Sequence, residues 1–474
     1  MKININPNLI KASYAVRGKI VQRAYELERE GKKIIYCNIG NPQALKQKPL
    51  TYIRQLLAGV EYPYLIKDPL TSKAFPKDIK EKIKFILSEN PAGLGAYTQS
   101  EGMSFIRKAV ADFISKRDGI KSDPTRIILT DGASKGIQAV MLALSENSSS
   151  GFMIPVPQYP LYSATISLYG ASQINYYLDE DKHWELNEQE LERSIKEAIG
   201  KGINPKAIVV INPGNPTGSV LSRENIRMII NFARKYNIAI LADEVYQENI
   251  YSSSHRFNSF ASVMEEMNIK DVWLFSFHST SKGFLGECGH RGGYMEIRNL
   301  PTDVYMELVK LQSIGLCANT AGQIITYAMV NPPRENDESY ELYEKEKKNI
   351  LSELKKKAEI LGEELNKIKG MSLKAPYGAM YAFVRIDLPP QKTINTDMMS
   401  EKEIIEYESK RDFDYCMNLL EETGICVVPG SGFGQKPHTY HFRIAFLPPI
   451  NEIKELVRKL KEFHTRYIRR IERQ

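Results

Sequence analysis

Residues 206–246 read KAIVVINPGNPTGSVLSRENIRMIINFARKYNIAILADEVY. An apolar run, KAIVVIN, stops at a turn punctuated twice by proline. The stretch SRENIRMIINFARKYN then carries its apolar residues at helical spacing, with Ser222 placed to cap it. A second apolar run, IAILADEVY, follows at once. This is a strand–helix–strand unit, and its runs are too rich in Ile and Val for strands with one wet face. The same alternation extends both ways. RIILT (126–130) precedes GASKGIQAVMLALSE, GFMIP (151–155) precedes YPLYSATISLYG, QINYYL precedes NEQELERSIKEAIG, and VWLFSFHS follows the second run. The pattern predicts an α/β fold: a mostly parallel sheet with helices on both faces.

After about residue 300 the pattern changes. A long charged helical stretch, ESYELYEKEKKNILSELKKKAEILGEELNKI, leads to strand-like MSLKAP and AMYAFVRI, another helix, the runs ICVVPG and YHFRIAF, and a basic final helix. This grouping predicts a separate α+β unit. LPPQKTINTDMMSEKE (388–403) reads as a polar excursion or mobile loop. The length of 474 residues suits two units.

Apolar residues at 42%, charged residues at 26% and a net charge of +7 are ordinary for a soluble globular protein. The last helix alternates apolar and basic positions, but acidic residues interrupt the stripe. It therefore reads as a solvated face, with no nucleic-acid partner and no membrane partner expected. Five scattered cysteines without a CxxC pair give no metal site and suggest reduced thiols in a cytoplasmic protein. The first residues, MKININPNLIKASYAV, lack the apolar core of a signal peptide, and no run approaches a membrane span.

In open α/β sheets ligands bind beyond the carboxyl ends of strands, so motifs there carry the functional reading. DGASKG (131–136) follows a strand and opens a helix, offering the backbone N–H groups of Ala133, Ser134 and Lys135 and the Ser134 hydroxyl to an anion. Read alone, it is equally a strand-to-helix turn. NPGNPTG (212–218) aims the Asn215 amide back at the sheet edge, or is simply a tight turn. ADEVYQ ends a strand with Asp243 and Glu244, then Tyr246. A buried carboxylate there needs a partner, either a protonated ring nitrogen or a structural cation.

FHSTSKGFLGECGHRGGY (277–294) surrounds Lys282 with Ser279, Ser281 and Arg291. An amine attacks a carbonyl only when neutral, and Arg291 is expected to favour that form. Together these motifs, at successive strand ends, are what pyridoxal 5′-phosphate needs. Its phosphate would lie on the helix N-terminus and Arg291, and its aldehyde on Lys282. The ring nitrogen would meet Asp243, and the 3′-oxygen Asn215 and Tyr246.

With those motifs in place, the chain resembles the fold-type I pyridoxal-phosphate enzymes of aminotransferase class I/II, most closely the alanine aminotransferases. NPGNPTG, LADEVYQENIY, IPVPQYPLYSA and the Lys282 motif carry the likeness, which runs from IIYCNIGNPQ to HFRIAFLP. The resemblance implies that Tyr159 stacks on the cofactor ring. It implies that Tyr97, in GAYTQSEG, reaches the cofactor phosphate of a neighbouring subunit in a homodimer. It implies that Arg443, in HFR, binds the substrate α-carboxylate beside the Gly40 backbone. It also implies an N-terminal arm and part of a small domain in residues 1–65, a large cofactor-binding domain in 66–335, and the rest of the small domain in 336–474.

The activity so implied is ping-pong transfer of the amino group from L-alanine to 2-oxoglutarate, giving pyruvate and L-glutamate, with Lys282 moving the Cα proton. A glutamate:glyoxylate or aromatic aminotransferase, a lyase resembling aminocyclopropane-carboxylate synthase, and a non-catalytic cofactor-binding regulator stand as alternatives. His290 departs from the phenol usual before the arginine, and GQKPHTYHFRIAF departs from a glycine-containing version; both bear on substrate preference.

Overall fold

A computed structural model of the chain describes residues 4–14, 18–389 and 399–472. After the short strand β1 (Ile35–Tyr36), seven strands build one sheet. They are β2 (Ile127–Leu129), β3 (Ser150–Val156), β4 (Ser172–Tyr177), β5 (Asn204–Ile211), β6 (Ala239–Asp243), β7 (Leu274–Ser279) and β8 (Gly293–Arg298). Their spatial order is β2-β8-β7-β6-β5-β3-β4. The five strands from β7 to β4 run parallel, as the apolar runs predict, while β8 is antiparallel to both its neighbours. Strands β3, β6 and β7 are buried along their whole length, which is why they do not alternate in polarity.

The connecting helices form for local reasons. In Arg223–Tyr236 the Ser222 hydroxyl accepts the Asn225 N–H at 3.1 Å, and Asn237 closes the other end in the left-handed conformation. Its buried residues Ile226, Ile229, Ile230, Phe232 and Ala233 form an apolar face that covers the sheet.

This topology gathers the motifs at one edge. Ile211 pairs with Asp243 and Asp243 with Phe277, so the ends of β5, β6 and β7 lie side by side. Because β8 is reversed, Ser279 pairs with Gly293, which brings Arg291 to the same edge. The start of the helix Ala133–Leu144, just past β2, joins them there.

The rest of the chain supplies β9 (Met371–Ser372), β10 (Tyr381–Ile386), β11 (Ile425–Cys426), β12 (Val428–Pro429) and β13 (Tyr440–Ala445). Strands β12-β13-β10-β9 make a small antiparallel sheet, and β11 pairs in parallel with β1. The run ICVVPG is thus two strands serving two sheets rather than one. Within the first 65 residues, β1 joins the C-terminal elements through its pairing with β11. The helix Thr51–Glu61, however, buries Ile53 and Leu56 with residues of the helices Ser104–Asp118 and Thr320–Val330, beside the large sheet. Of the stretch 388–403 expected as a loop, residues 390–398 lie outside the described residues. Its end is already helical, because Ser400 and Glu403 form a capping box on the helix Glu401–Thr423.

Candidate active site

A cavity of ≈420 Å³ opens where the strand ends of the large sheet meet the small one. Ala133, Ser134, Tyr159, Asn215, Asp243, Tyr246, Ser279, Ser281, Lys282, Arg291, Gly40 and Arg443 all line it. Lys135 and Tyr97 do not.

At one end, Gly132 has φ +76° and opens the helix Ala133–Leu144; a Cβ there would lie 2.5 Å from Arg291 Nη2. The guanidinium is held across the helix start by Asp131 O (2.9 Å), Cys288 O (2.8 Å) and Ser281 Oγ (3.3 Å). A helix N-terminus, an arginine and two serine hydroxyls suit a phosphate ester. The expectation for Lys135 is corrected: its N–H donates to Gly132 O at 3.2 Å, so the helix turn itself takes up that donor.

Deeper in, the buried Asp243 accepts the Tyr162 hydroxyl at 2.6 Å. Burial pushes its carboxyl up to about 6, against the pull of that hydrogen bond. Tyr162 is a residue the sequence reading missed, although it stands one helical turn after Tyr159. Asn215 Nδ2 points at the Tyr246 hydroxyl (3.5 Å), which donates to the Tyr381 hydroxyl (3.2 Å), while Asn215 Oδ1 accepts Arg443 Nη1 (3.1 Å). Its amide is therefore oriented by an arginine on one side and a phenol on the other. Tyr159 forms a wall, with its hydroxyl 2.6 Å from that of Tyr14 and the two rings edge to face. Tyr14, on the N-terminal arm, was not singled out either.

Lys282 Nζ donates to Gly40 O at 2.6 Å. A Cβ at Gly40 would fall 1.9 Å from the Tyr381 hydroxyl and 3.0 Å from Lys282 Nζ, so only glycine lets the amine and phenol meet there. The expectation that Arg291 lowers the amine's pKa is corrected. Burial pulls the pKa down, but Tyr381 and Cys288 push it up and the net direction is up; the opposing cation is Arg443. Arg291 is turned instead toward the carbonyls at the helix start.

Arg443 is 1% exposed, with its guanidinium between the rings of Tyr381 (4.3 Å) and Phe433 (4.6 Å). Nη2 donates to Asn38 O at 2.5 Å, and Nε has no partner. Burial lowers its pKa, yet among the described residues no carboxylate pairs with it. A buried cation with an orphaned N–H is half of an ion pair, and a ligand carboxylate would complete it. Asn38 and Tyr381, also missed, signal nothing in isolation, because only the packing of β1 and β10 brings them here; Cys288, missed as well, lies within the Lys282 motif itself, its Sγ 3.1 Å from Ser281 O. Tyr97 is 77% exposed and does not line this cavity. Among the described residues, no His/Cys/Asp/Glu group could hold a metal ion, and no helix is long and apolar enough to cross a membrane.

Residues 61–460 match the model of the family described as aminotransferase class I and II. A probable mitochondrial alanine aminotransferase of Dictyostelium discoideum is 47% identical, over 98% of this chain and 89% of its own. Glutamate–glyoxylate aminotransferase 1 of Arabidopsis thaliana is 45% identical, over 98% of this chain and 95% of its own. The solved alanine aminotransferase of Pyrococcus furiosus superposes with a TM-score of 0.78 at 26% identity, over 98% of this chain and 100% of that one. The chain belongs to the class I and II aminotransferases. It is a transaminase, and the fold is theirs.

Proposed function

We propose that the chain is a pyridoxal 5′-phosphate-dependent alanine aminotransferase that transfers the amino group of L-alanine to 2-oxoglutarate, giving pyruvate and L-glutamate. The observation that carries this reading is the buried, carboxylate-free Arg443 facing Lys282 across one cavity. Relatives named as alanine aminotransferases at 42–47% identity support the choice of substrates.

The residues fit the cofactor. Gly132, the helix start, Ser279, Ser281 and Arg291 would hold the phosphate, Asp243 the ring nitrogen, and Asn215 and Tyr246 the ring oxygen. When bound, pyridoxal phosphate supplies an aldehyde carbon for the amine and a ring that accepts electrons. The chain's own part follows from its geometry. Arg443 binds the α-carboxylate through paired N–H groups and fixes the substrate's Cα toward Lys282. Lys282, once free, takes the proton from Cα and returns it on the other side of the exchange. Asp243, held by Tyr162, is the anion that keeps a ring nitrogen protonated. Tyr159 and Tyr14 close the wall of the cavity.

The 45% identity to a glutamate–glyoxylate aminotransferase supports a second reading in which glyoxylate is the acceptor. Steady-state rates with alanine, glutamate and aromatic donors, each against 2-oxoglutarate and glyoxylate, test both. Alanine with 2-oxoglutarate must have the highest kcat/KM for the first reading to stand. The exposed Tyr97 supports a homodimer in which it serves the partner's site, and sedimentation of the holoenzyme tests that. Five free thiols, three of them buried, support a cytoplasmic location, which cell fractionation tests.

A further inference from the structure

His441 stands two residues before Arg443 on β13, so both side chains leave the same face of the small sheet. It is 2% exposed. Its Nδ1 lies 3.2 Å from Gln435 Oε1, and its Nε2 lies 3.3 Å from both carboxylate oxygens of Glu180. While Asp412, whose carboxyl burial pushes up to about 7, is ionised, the Gln435 amide is held one way round. Its Nε2 donates at 3.0 Å to Asp412 Oδ2, an oxygen that already accepts the Ser431 N–H at 2.7 Å. Both imidazole nitrogens therefore face acceptors, and a neutral ring can donate through only one of them. Only the imidazolium makes both bonds.

Glu180 belongs to the segment after β4, on the large sheet, and also accepts Arg385 Nη1 at 3.2 Å. Arg385 pairs in register with His441 across β10 and β13. The His441 ring stacks on Phe383, with centroids 4.6 Å apart and planes at 6°. Phe383 is in register with Arg443 and meets Phe433 edge to face at 6.0 Å. Phe433 is the ring under the Arg443 guanidinium. Two packed rings thus connect the imidazole to the arginine.

We propose that His441 is a positioning residue: as an imidazolium it ties Glu180 to the small sheet and so fixes the Phe383–Phe433 platform on which Arg443 receives the substrate carboxylate. The proposal rests on the aminotransferase reading in one respect, that Arg443 meets a carboxylate. The charged groups facing the imidazole are Glu180 from the segment after β4, Arg385 from β10, and Asp412 of the helix Glu401–Thr423 behind Gln435. Asp179, Asp181, Glu190, Lys436 and His438 line the ≈490 Å³ cleft beside it, and Glu408 bonds His438. Burial lowers the ring's pKa more than Glu180 raises it. The second proton is therefore lost as pH rises, and one of the two bonds goes with it.

The test uses two readouts on the holoenzyme. Trp184 lies edge-on to the imidazole, 5.8 Å away, and it is one of two tryptophans in the chain. An imidazolium in ring contact quenches indole emission, and neutral imidazole does so far less. In a Trp273→Phe background, emission should rise with pH in a single step whose midpoint lies below the ordinary histidine value of about 6.5. KM for both the amino donor and the oxo acid should rise along the same curve, about tenfold for loss of one charged hydrogen bond, with kcat changed less than twofold. His441→Gln in that background should flatten both curves. If His441→Gln does not fold, Glu180→Gln, which keeps the histidine but removes the anion, must lower the midpoint of both curves. Emission without a step, a step without the rise in KM, or an unmoved midpoint in Glu180→Gln overturns the proposal. If alanine fails as donor while another amino acid serves, the substrate reading falls, and the KM curve is taken with the donor that works.

Discussion

Replacing Arg443 with lysine separates charge from geometry. The substitution keeps a cation near Asn38 and Asn215 but removes the planar fork that presents paired N–H groups to a carboxylate. Loss of one charge-assisted hydrogen bond costs about 1.5–3 kcal/mol. The fork also holds Asn215 Oδ1 (3.1 Å) and Asn38 O (2.5 Å), and one ammonium cannot serve both of these buried acceptors and a ligand at once. An unmet acceptor adds about 1 kcal/mol, so kcat/KM should fall about 10²-fold or more, close to 3 kcal/mol of transition-state binding. The fall should be shared by donor and acceptor, because every amino acid and 2-oxo acid presents the same carboxylate. Half-reaction rates with L-alanine, L-glutamate, pyruvate and 2-oxoglutarate measure it, and the visible band of the bound cofactor should persist with a small shift as Asn215 relaxes. A loss with alanine that leaves glutamate untouched would refute the reasoning, since Arg443 would then be reading a side chain.

Lys282→Ala should lose the visible absorbance of the wild-type holoenzyme, and borohydride reduction followed by peptide mapping should label Lys282 and no other lysine. Asp243→Ala should still bind cofactor but turn over several orders of magnitude more slowly, and near wild-type rates in single turnover would make the carboxylate merely structural. Asp243 is protonated below about 6 in the cofactor-free fold and ionised above it. Because its folded pKa is raised, the native state binds more protons than the unfolded chain, and stability falls as pH climbs from about 4 through 6. Asp243→Asn should therefore stabilise the cofactor-free protein at pH 8 by about 3 kcal/mol and leave it unchanged at pH 4; equal melting temperatures of the two proteins at pH 8 would contradict this. Tyr14→Phe deletes the 2.6 Å contact with Tyr159 and should raise substrate KM several-fold, about 1 kcal/mol, without moving the cofactor band.

Most of the sheet was legible because its strands carry their own signal: a short apolar run bounded by turn residues. The site residues on it were legible for the same reason, since Asn215, Asp243 and Lys282 all follow such runs directly. What stayed hidden depends on packing between distant segments. Asn38 and Tyr381 carry no local mark, and their role comes from facing partners fixed by β1–β11 and β10–β13 pairing, while Tyr14 and Tyr162 owe theirs to Tyr159 and Asp243. Strand β8 is as long as β4 and β7, but its GYMEIR sequence mixes charged and apolar residues and trails a glycine-rich motif, which hides it. Arg291 was given the wrong electrostatic role because sequence proximity to Lys282 says nothing about where a guanidinium points, and a left-handed backbone at φ +53° turns it toward Asp131 and Cys288.

The pairing of β1 with β11 also sets an order of manufacture. Asn38 and Arg443, which share a hydrogen bond in the carboxylate pocket, are 405 positions apart, and the Ala445 N–H donates to Cys37 O at 2.8 Å. A ribosome delivers Lys282, Asp243 and the whole seven-stranded sheet long before it delivers β13. The growing chain can thus fold a platform for the cofactor while the segment carrying Asn38 and Gly40 still lacks its partners on β11 and β13. A chain released early, or clipped ahead of β11, should keep the means to grip a phosphate and an aldehyde yet have nothing to hold an amino acid. Synthesis itself thereby keeps an unfinished molecule from acting on the cell's amino acids.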